Sequence, residues 1–228
     1  MNGYGDFCPI SRAAEVFATR WTPIILRNLH LGCRTFSELR EGAPGISRTV
    51  LTQRLRLLEH HGIIERDPQG GYALTAAGEE LGPVCDALGM WGERWLELDA
   101  QRCDPAGVIF VLARKVSPDE LPAARVVLRF ELPGERYWLL LQPTGAEVCR
   151  KPPGFDEDLV VRTTPEWLAK WFTGHVRFGD ALSARVMEVD GPLELHRLLV
   201  AWNGSGSSEP PDPSVVAAPP AAAAAAAA

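Results

Sequence analysis

No apolar run in this chain approaches the ~18 residues that cross a bilayer, so neither a membrane span nor a membrane partner is expected. The opening residues, Met1-Asn2-Gly3-Tyr4-Gly5-Asp6, do not join a basic segment to a greasy one. A secretory leader is therefore not expected, and a cytoplasmic location is. Cysteine is sparse and unpatterned: five residues, at 8, 33, 85, 103 and 149, an odd number with no Cys-x-x-Cys pair. That disfavours a disulfide framework and a zinc site, and no metal or cofactor is expected; reduced thiols are the simple reading. Lysine is nearly missing, since twenty of the 23 cationic residues are arginine. No segment repeats.

What is present is a local charge asymmetry. The net charge of −6 argues against a chain coated in nucleic acid. Yet residues 20–66 hold eight arginines against four acids, whereas residues 67–103 hold two arginines against seven acids. A short basic stretch beside an acidic one fits a localised DNA footprint. It equally fits an ordinary surface on which arginine is the main cation.

The first half reads as helices followed by a hairpin. Pro9 suits a first helical turn, with Ile10, Ala13, Ala14 and Phe17 at helical spacing. A second helix runs from Pro23 to Gly32. Thr35-x-x-Glu38 is a capping box opening a short helix, and Gly42-Ala43-Pro44-Gly45 is a turn. Ser47 caps a third long helix ending near His61. Ile63–Arg66 and Tyr72–Leu74 flank Asp67-Pro68-Gln69-Gly70-Gly71 as a small hairpin. Thr75 opens a helix of about 25 residues. In it Leu81, Val84, Leu88, Trp91, Trp95 and Leu98 form a heptad seam. That seam either packs on the first helix, around Ile10 and Phe17, or meets a second copy of the chain.

Helices followed by a two-stranded hairpin are the order of a winged helix-turn-helix. The helix after Ser47 buries Leu51, Leu55 and Leu58 and offers Arg48, Thr49, Thr52, Gln53 and Arg56 on the remaining arc. Arginine reads guanine bidentately, glutamine reads adenine, and threonine contacts phosphate or a thymine methyl. Ser47 and the helix amino terminus add donors for a phosphate, and Arg66 and Gln69 on the hairpin reach towards a backbone or minor groove. Double-stranded DNA is therefore the expected partner. The competing reading is a small helical domain with a merely solvated polar face.

The motifs Cys8-Pro9-Ile10, Arg20-Trp21-Thr22-Pro23-Ile24-Ile25-Leu26-Arg27 and Arg34-Thr35-Phe36-Ser37-Glu38-Leu39-Arg40 resemble those of HxlR-type regulators. Leu51-Thr52-Gln53-Arg54-Leu55-Arg56-Leu57-Leu58-Glu59 and Tyr72-Ala73-Leu74-Thr75-Ala76-Ala77-Gly78 continue the likeness across about residues 8–98. The resemblance implies a bacterial, homodimeric regulator of transcription on pseudo-palindromic DNA, with terminal helices at the dimer contact. The hairpin is shorter than in many such proteins. Some regulators of this resemblance sense oxidants through a cysteine near the amino terminus, where Cys8 stands; with no partner cysteine evident, a small buried hydrophobe is the favoured reading.

Residues 104–202 are expected to be a separate unit. Asp104-Pro105 restarts the chain as a helix. Strands follow at Arg125–Leu132, Arg136–Gln142, Ala146–Arg150 and Leu159–Arg162, then helices at Pro165–Phe172 and Gly179–Ala184, a strand at Arg185–Val189 and a helix at Pro192–Trp202. Tyr137-Trp138-Leu139, Ala146-Glu147-Val148-Cys149-Arg150 and Gly179-Asp180-Ala181-Leu182 resemble a sterol carrier protein-like domain. That resemblance implies a mixed sheet with helices over one face and a hydrophobic small-molecule effector. Val126, Leu128 and Phe130 on one sheet face, with Trp167, Trp171 and Phe172 on a helix, either line a pocket or fill a core. An enzyme or lipid carrier built on this half is the alternative function. His175, Asp180 and Ser183 lie close in sequence but match no triad motif, so no catalytic residue is expected. The fold class is thus α+β: residues 1–103 as winged helix with a long dimerisation helix, 104–202 as mixed α/β domain, and 203–228 as a low-complexity tail.

Overall fold

The computed structural model describes residues 7–97, 99, 103–116 and 122–203. Leu98, the Met1–Asp6 opening and the tail from residue 204 lie outside the described residues.

The first half is built from α1 (Pro9–Phe17), α2 (Thr22–His30), α3 (Phe36–Glu41), α4 (Arg48–His60), β1 (Ile64–Arg66), β2 (Tyr72–Leu74), α5 (Ala76–Glu79) and α6 (Gly82–Trp95). The capping box at Thr35 forms in both directions. The Thr35 side chain accepts from the Glu38 N–H, and the Glu38 carboxylate accepts from the Thr35 N–H at 2.9 Å. Leu26 and Leu29 of α2, Leu39 of α3, and Leu51, Leu55 and Leu58 of α4 make a fully buried core. Strands β1 and β2 pair antiparallel, with Ile64 opposite Leu74.

The single helix expected from Thr75 is two helices. The Leu81 N–H donates to the Gly78 carbonyl at 3.1 Å, which tightens the end of α5. Pro83 then has no N–H to give to a carbonyl one turn back, so it starts α6 rather than continuing α5. Leu81 falls at the break and packs on the first core instead of joining the seam.

The second half contains α7 (Pro105–Lys115), β3 (Val126–Leu132), β4 (Glu135–Gln142), β5 (Gly145–Cys149), β6 (Leu159–Thr163), α8 (Pro165–Phe172), α9 (Phe178–Ser183), β7 (Met187–Asp190) and α10 (Leu193–Asn203). The sheet order is β5-β4-β3-β6-β7, with β3 and β6 parallel and the other neighbours antiparallel. Residue 203, assigned to the tail from sequence, ends α10: Asn203 is buried and its Nδ2 donates to the Trp171 carbonyl at 3.1 Å.

Helix α7 belongs to both halves. Ile109, Leu112, Ala113 and Val116 enter the core of the sheet, whereas Phe110 is buried in the winged-helix core with Val111 beside it. The far face of the sheet is also partly covered. Val127, Trp138 and Leu140 form a small buried cluster there, and the Trp138 indole donates to Glu157 Oε1 at 2.8 Å.

Candidate nucleic-acid interface

Helix α4 carries two ridges with the same spacing. Leu51, Leu55 and Leu58 are buried, while Thr49, Gln53 and Arg56 are exposed. The second ridge is offset by two residues from the first, which puts it roughly 160° around a helix of 3.6 residues per turn. Packing one ridge on α2 and α3 therefore turns the other to solvent. Arg48 is exposed in the first turn, and the Ser47 hydroxyl caps the helix by accepting from the Val50 N–H at 3.2 Å. Thr52 is half-buried and its hydroxyl donates to the Arg48 carbonyl at 2.9 Å. The structure thus brings Ser47, Arg48, Thr49, Gln53 and Arg56 together on one exposed surface, with Thr52 at its edge.

The hairpin holds its two named residues differently. Asp67 Oδ1 accepts from the backbone N–H groups of Gln69 and Gly71, at 2.9 and 2.7 Å, and Gly70 takes the positive φ the turn needs. Gln69 is left exposed at the tip. Arg66 is committed within the chain. Its guanidinium donates to Glu59 Oε1 at 2.9 Å, the Gly70 carbonyl at 3.0 Å and the Tyr72 hydroxyl at 2.7 Å, and stacks 3.8 Å above the Tyr72 ring. The sequence places Arg66 towards a DNA backbone or minor groove; its hydrogen bond to Glu59 ties the hairpin to α4.

The helix-turn-helix is also held from behind, which sequence reading did not find. Arg114 of α7 donates to Glu38 Oε1 at 2.8 Å. Burial pushes the Glu38 carboxyl up, but hydrogen bonds from the Arg34 and Thr35 backbones and from Arg114 outweigh it and hold the pKa at about 2. A Cβ on Gly42, in the turn before α4, would strike the Phe110 ring and Asn28.

Helix α6 leaves the rest of the seam outside. Val84, Leu88, Trp91 and Trp95 are 45%, 47%, 54% and 49% exposed, and α6 has no buried residue. Ile10 of α1 is 78% exposed, so the stripe does not close over it. Cys8 precedes α1, and backbone and hydroxyl hydrogen bonds from Ser11, with the Ile10 N–H, lower its pKa. Burial raises the other four thiols.

In the second half, the six residues named for a pocket do not enclose one. Leu128 and Phe130 are 0% exposed and Trp171 1%, which leaves no room for a water-sized body against the two sheet residues. Val126 and Phe172 pack on the same core and Trp167 is half-buried. His175 Nδ1 lies 2.8 Å from Thr173 Oγ1, at the end of α8, while Asp180 and Ser183 stand on α9.

The HxlR-like helix-turn-helix family matches residues 16–100. An uncharacterized HTH-type transcriptional regulator, sll1512, from Synechocystis sp. (strain ATCC 27184 / PCC 6803 / Kazusa) is 40% identical over 105 residues, which is 43% of this chain and 78% of that protein. The uncharacterized HTH-type transcriptional regulator YvaP of Bacillus subtilis is 31% identical over 99 residues, 40% of this chain and 92% of that protein. Among solved structures, quinone-bound YodB from B. subtilis has 32% identity and a TM-score of 0.36, covering 40% of this chain and 100% of that one. The chain belongs to the HxlR-like helix-turn-helix family of transcriptional regulators.

Proposed function

We propose that the protein is a homodimeric repressor or activator that reads a pseudo-palindromic operator through α4. The observation that carries this reading is the exposed ridge of Thr49, Gln53 and Arg56 behind a Ser47-capped amino terminus, held rigid by the leucines on the opposite side. Gln53 and Arg56 supply base contacts, and Arg48 with the helix amino terminus supplies phosphate contacts. Gln69 extends from the hairpin tip, while Arg66 fixes the hairpin's angle rather than leaving it free.

Two copies are needed because one winged helix reads one half-site. The stripe of Val84, Leu88, Trp91 and Trp95 is the surface that supports a two-fold interface, since large apolar side chains left in water forgo roughly 25 cal/mol per Å². The five-stranded mixed sheet with helices against its core face supports a sterol carrier protein-like second domain. Its filled interior favours a scaffold that buttresses the helix-turn-helix.

Binding to the protein's own upstream DNA, followed by fluorescence anisotropy between ~50 and ~200 mM salt, tests the reading. The affinity should fall linearly on logarithmic axes, and Arg48→Ala should lower that slope by about 1 while acting evenly across sequences. Equal affinity for upstream and random DNA at every salt concentration would refute it.

A further inference from the structure

Where the two halves of the chain meet, a cleft of about 660 Å³ opens, within the ~300–1,000 Å³ common to small-molecule sites. Ile24 and Arg27 of α2 line it on one side, Val111 and Lys115 of α7 with Phe172 of α8 on the other, and Gly89 of α6 along the opening. Its walls are mainly apolar: Ile24, Val111 and Phe172 are all half-buried and not fully covered. Two exposed acids of α6, Asp86 and Glu93, line the cleft as well.

Two cations line this space, Arg27, half-buried among neutral partners, and Lys115, exposed and drawn towards the Glu93 carboxylate. The Arg27 guanidinium is half-buried and donates to uncharged oxygens: Asn28 Oδ1 at 2.8 and 3.1 Å and the Gly42 carbonyl at 3.0 Å. Among the described residues no carboxylate forms an ion pair with it, and burial lowers its pKa. Lys115 Nζ donates to the Asn203 carbonyl at 3.3 Å and lies 4.6 Å from the centre of the Phe172 ring. Arg27, half-buried without a carboxylate partner, is held there at a cost, and a carboxylate brought in by a ligand removes that cost.

We propose that this cleft is an effector site for a small amphipathic carboxylic acid. Its apolar body lies along Ile24, Val111 and Phe172, and its carboxylate sits against Arg27 and Lys115. One wall belongs to the winged helix and the other to the sheet domain, so occupancy changes how the two are held. That effector role rests on the DNA-binding reading above; the binding itself does not. Leu88 of the apolar stripe also lines the cleft, so the two surfaces of α6 share that residue.

Isothermal titration of the full chain with decanoate, naphthalene-2-carboxylate and decanol tests the site. At least one acid should bind once per chain, at least tenfold tighter than decanol. Which of the two acids does so tells an aliphatic ligand from an aromatic one. Gly89→Phe should lower acid affinity at least tenfold by filling the cleft. A Cβ at Gly89 meets nothing within 4 Å, and replacing a mid-helix glycine favours the helix, so the variant folds. Lys115→Met should weaken the acids about fivefold and leave decanol unchanged. Absence of acid binding, decanol binding as tightly, or full acid affinity in Gly89→Phe overturns the site. DNA affinity unmoved at saturating acid overturns the effector role. Failure of the ligand-free protein to bind its operator specifically overturns the DNA-binding reading and leaves the acid site standing.

Discussion

Helices α4 and α6 have 13 and 14 residues, and each carries an apolar stripe at the same alternation of three and four. Their fates differ. In α4 the stripe is aliphatic and is buried by α2 and α3, so the polar face is the one presented. In α6 the stripe contains two tryptophans and stays about half exposed among the described residues. A helix whose apolar side is satisfied internally displays its polar side to a ligand such as DNA. A helix whose apolar side is unsatisfied displays that side to another protein surface. The same periodicity thus leaves a polar face outward in one place and an apolar face outward in the other, which is the ground for the proposed reading head and assembly surface.

The contrast can be broken at either helix. Leu55→Ala should have the largest effect, a loss of ~2–5 kcal/mol of folding stability, because Leu55 is wholly enclosed. Urea denaturation measures it, and a loss under ~1 kcal/mol would mean that the ridge is not a core. Trp95→Glu should spare folding and raise the dimer dissociation constant at least thirtyfold, about 2 kcal/mol, since large aromatic anchors dominate interfaces. Sedimentation of wild type at micromolar concentration should show the dimer; a wild-type monomer with tight binding to the full operator would remove the assembly role of α6. On the polar side of α4, Gln53→Ala and Arg56→Ala should each weaken operator binding by ~1–3 kcal/mol without changing denaturation. Undiminished specific binding in the double variant would reassign the reading face.

The smallest effect concerns the support behind α4. Glu38 is held at about 2, below its ordinary 4.5. A carboxyl with a lowered folded-state pKa stabilises above its unfolded value, so its contribution is complete above pH ~4.5 and fades as pH falls towards 2. Arg114→Met should shrink that acid-side loss by under ~1 kcal/mol, since the pair is partly exposed and the Arg34 and Thr35 hydrogen bonds remain. Stability against pH from 6 to 2 for both proteins reads the difference; identical curves would show that Arg114 contributes nothing there.

Local chemistry made much of this legible. The Thr35–Glu38 box and the Ser47 cap are bonds between residues three apart, so their pattern is written contiguously. The strands of the second half are cut by Pro133-Gly134 and Pro143-Thr144-Gly145, which is why their predicted limits fall within a residue or so of β3, β4 and β5. Other features depend on what comes near in space. Gly82-Pro83 stands at the α5–α6 break, inside the single helix expected from Thr75, and no local pattern marks the inward turn of Leu81. Arg66 reads as a contact for a DNA backbone or minor groove until Glu59 and Tyr72 are placed around it. The Arg114–Glu38 pair joins residues 76 apart, and no spacing rule encodes it. One sign of the double role of α7 was available: Val108 to Ala113 is apolar without interruption, so no side of that helix was meant for water.

That shared helix has a consequence for unfolding. Phe110 can leave the first core only if α7 moves, and α7 can move only by withdrawing Ile109 and Leu112 from the second. The boundary at residue 104 is therefore a boundary of architecture and not of melting. Heat should take both halves through one calorimetric transition, whereas a fragment ending at residue 103 would carry a phenyl-sized hole behind its helix-turn-helix and melt earlier than the intact chain.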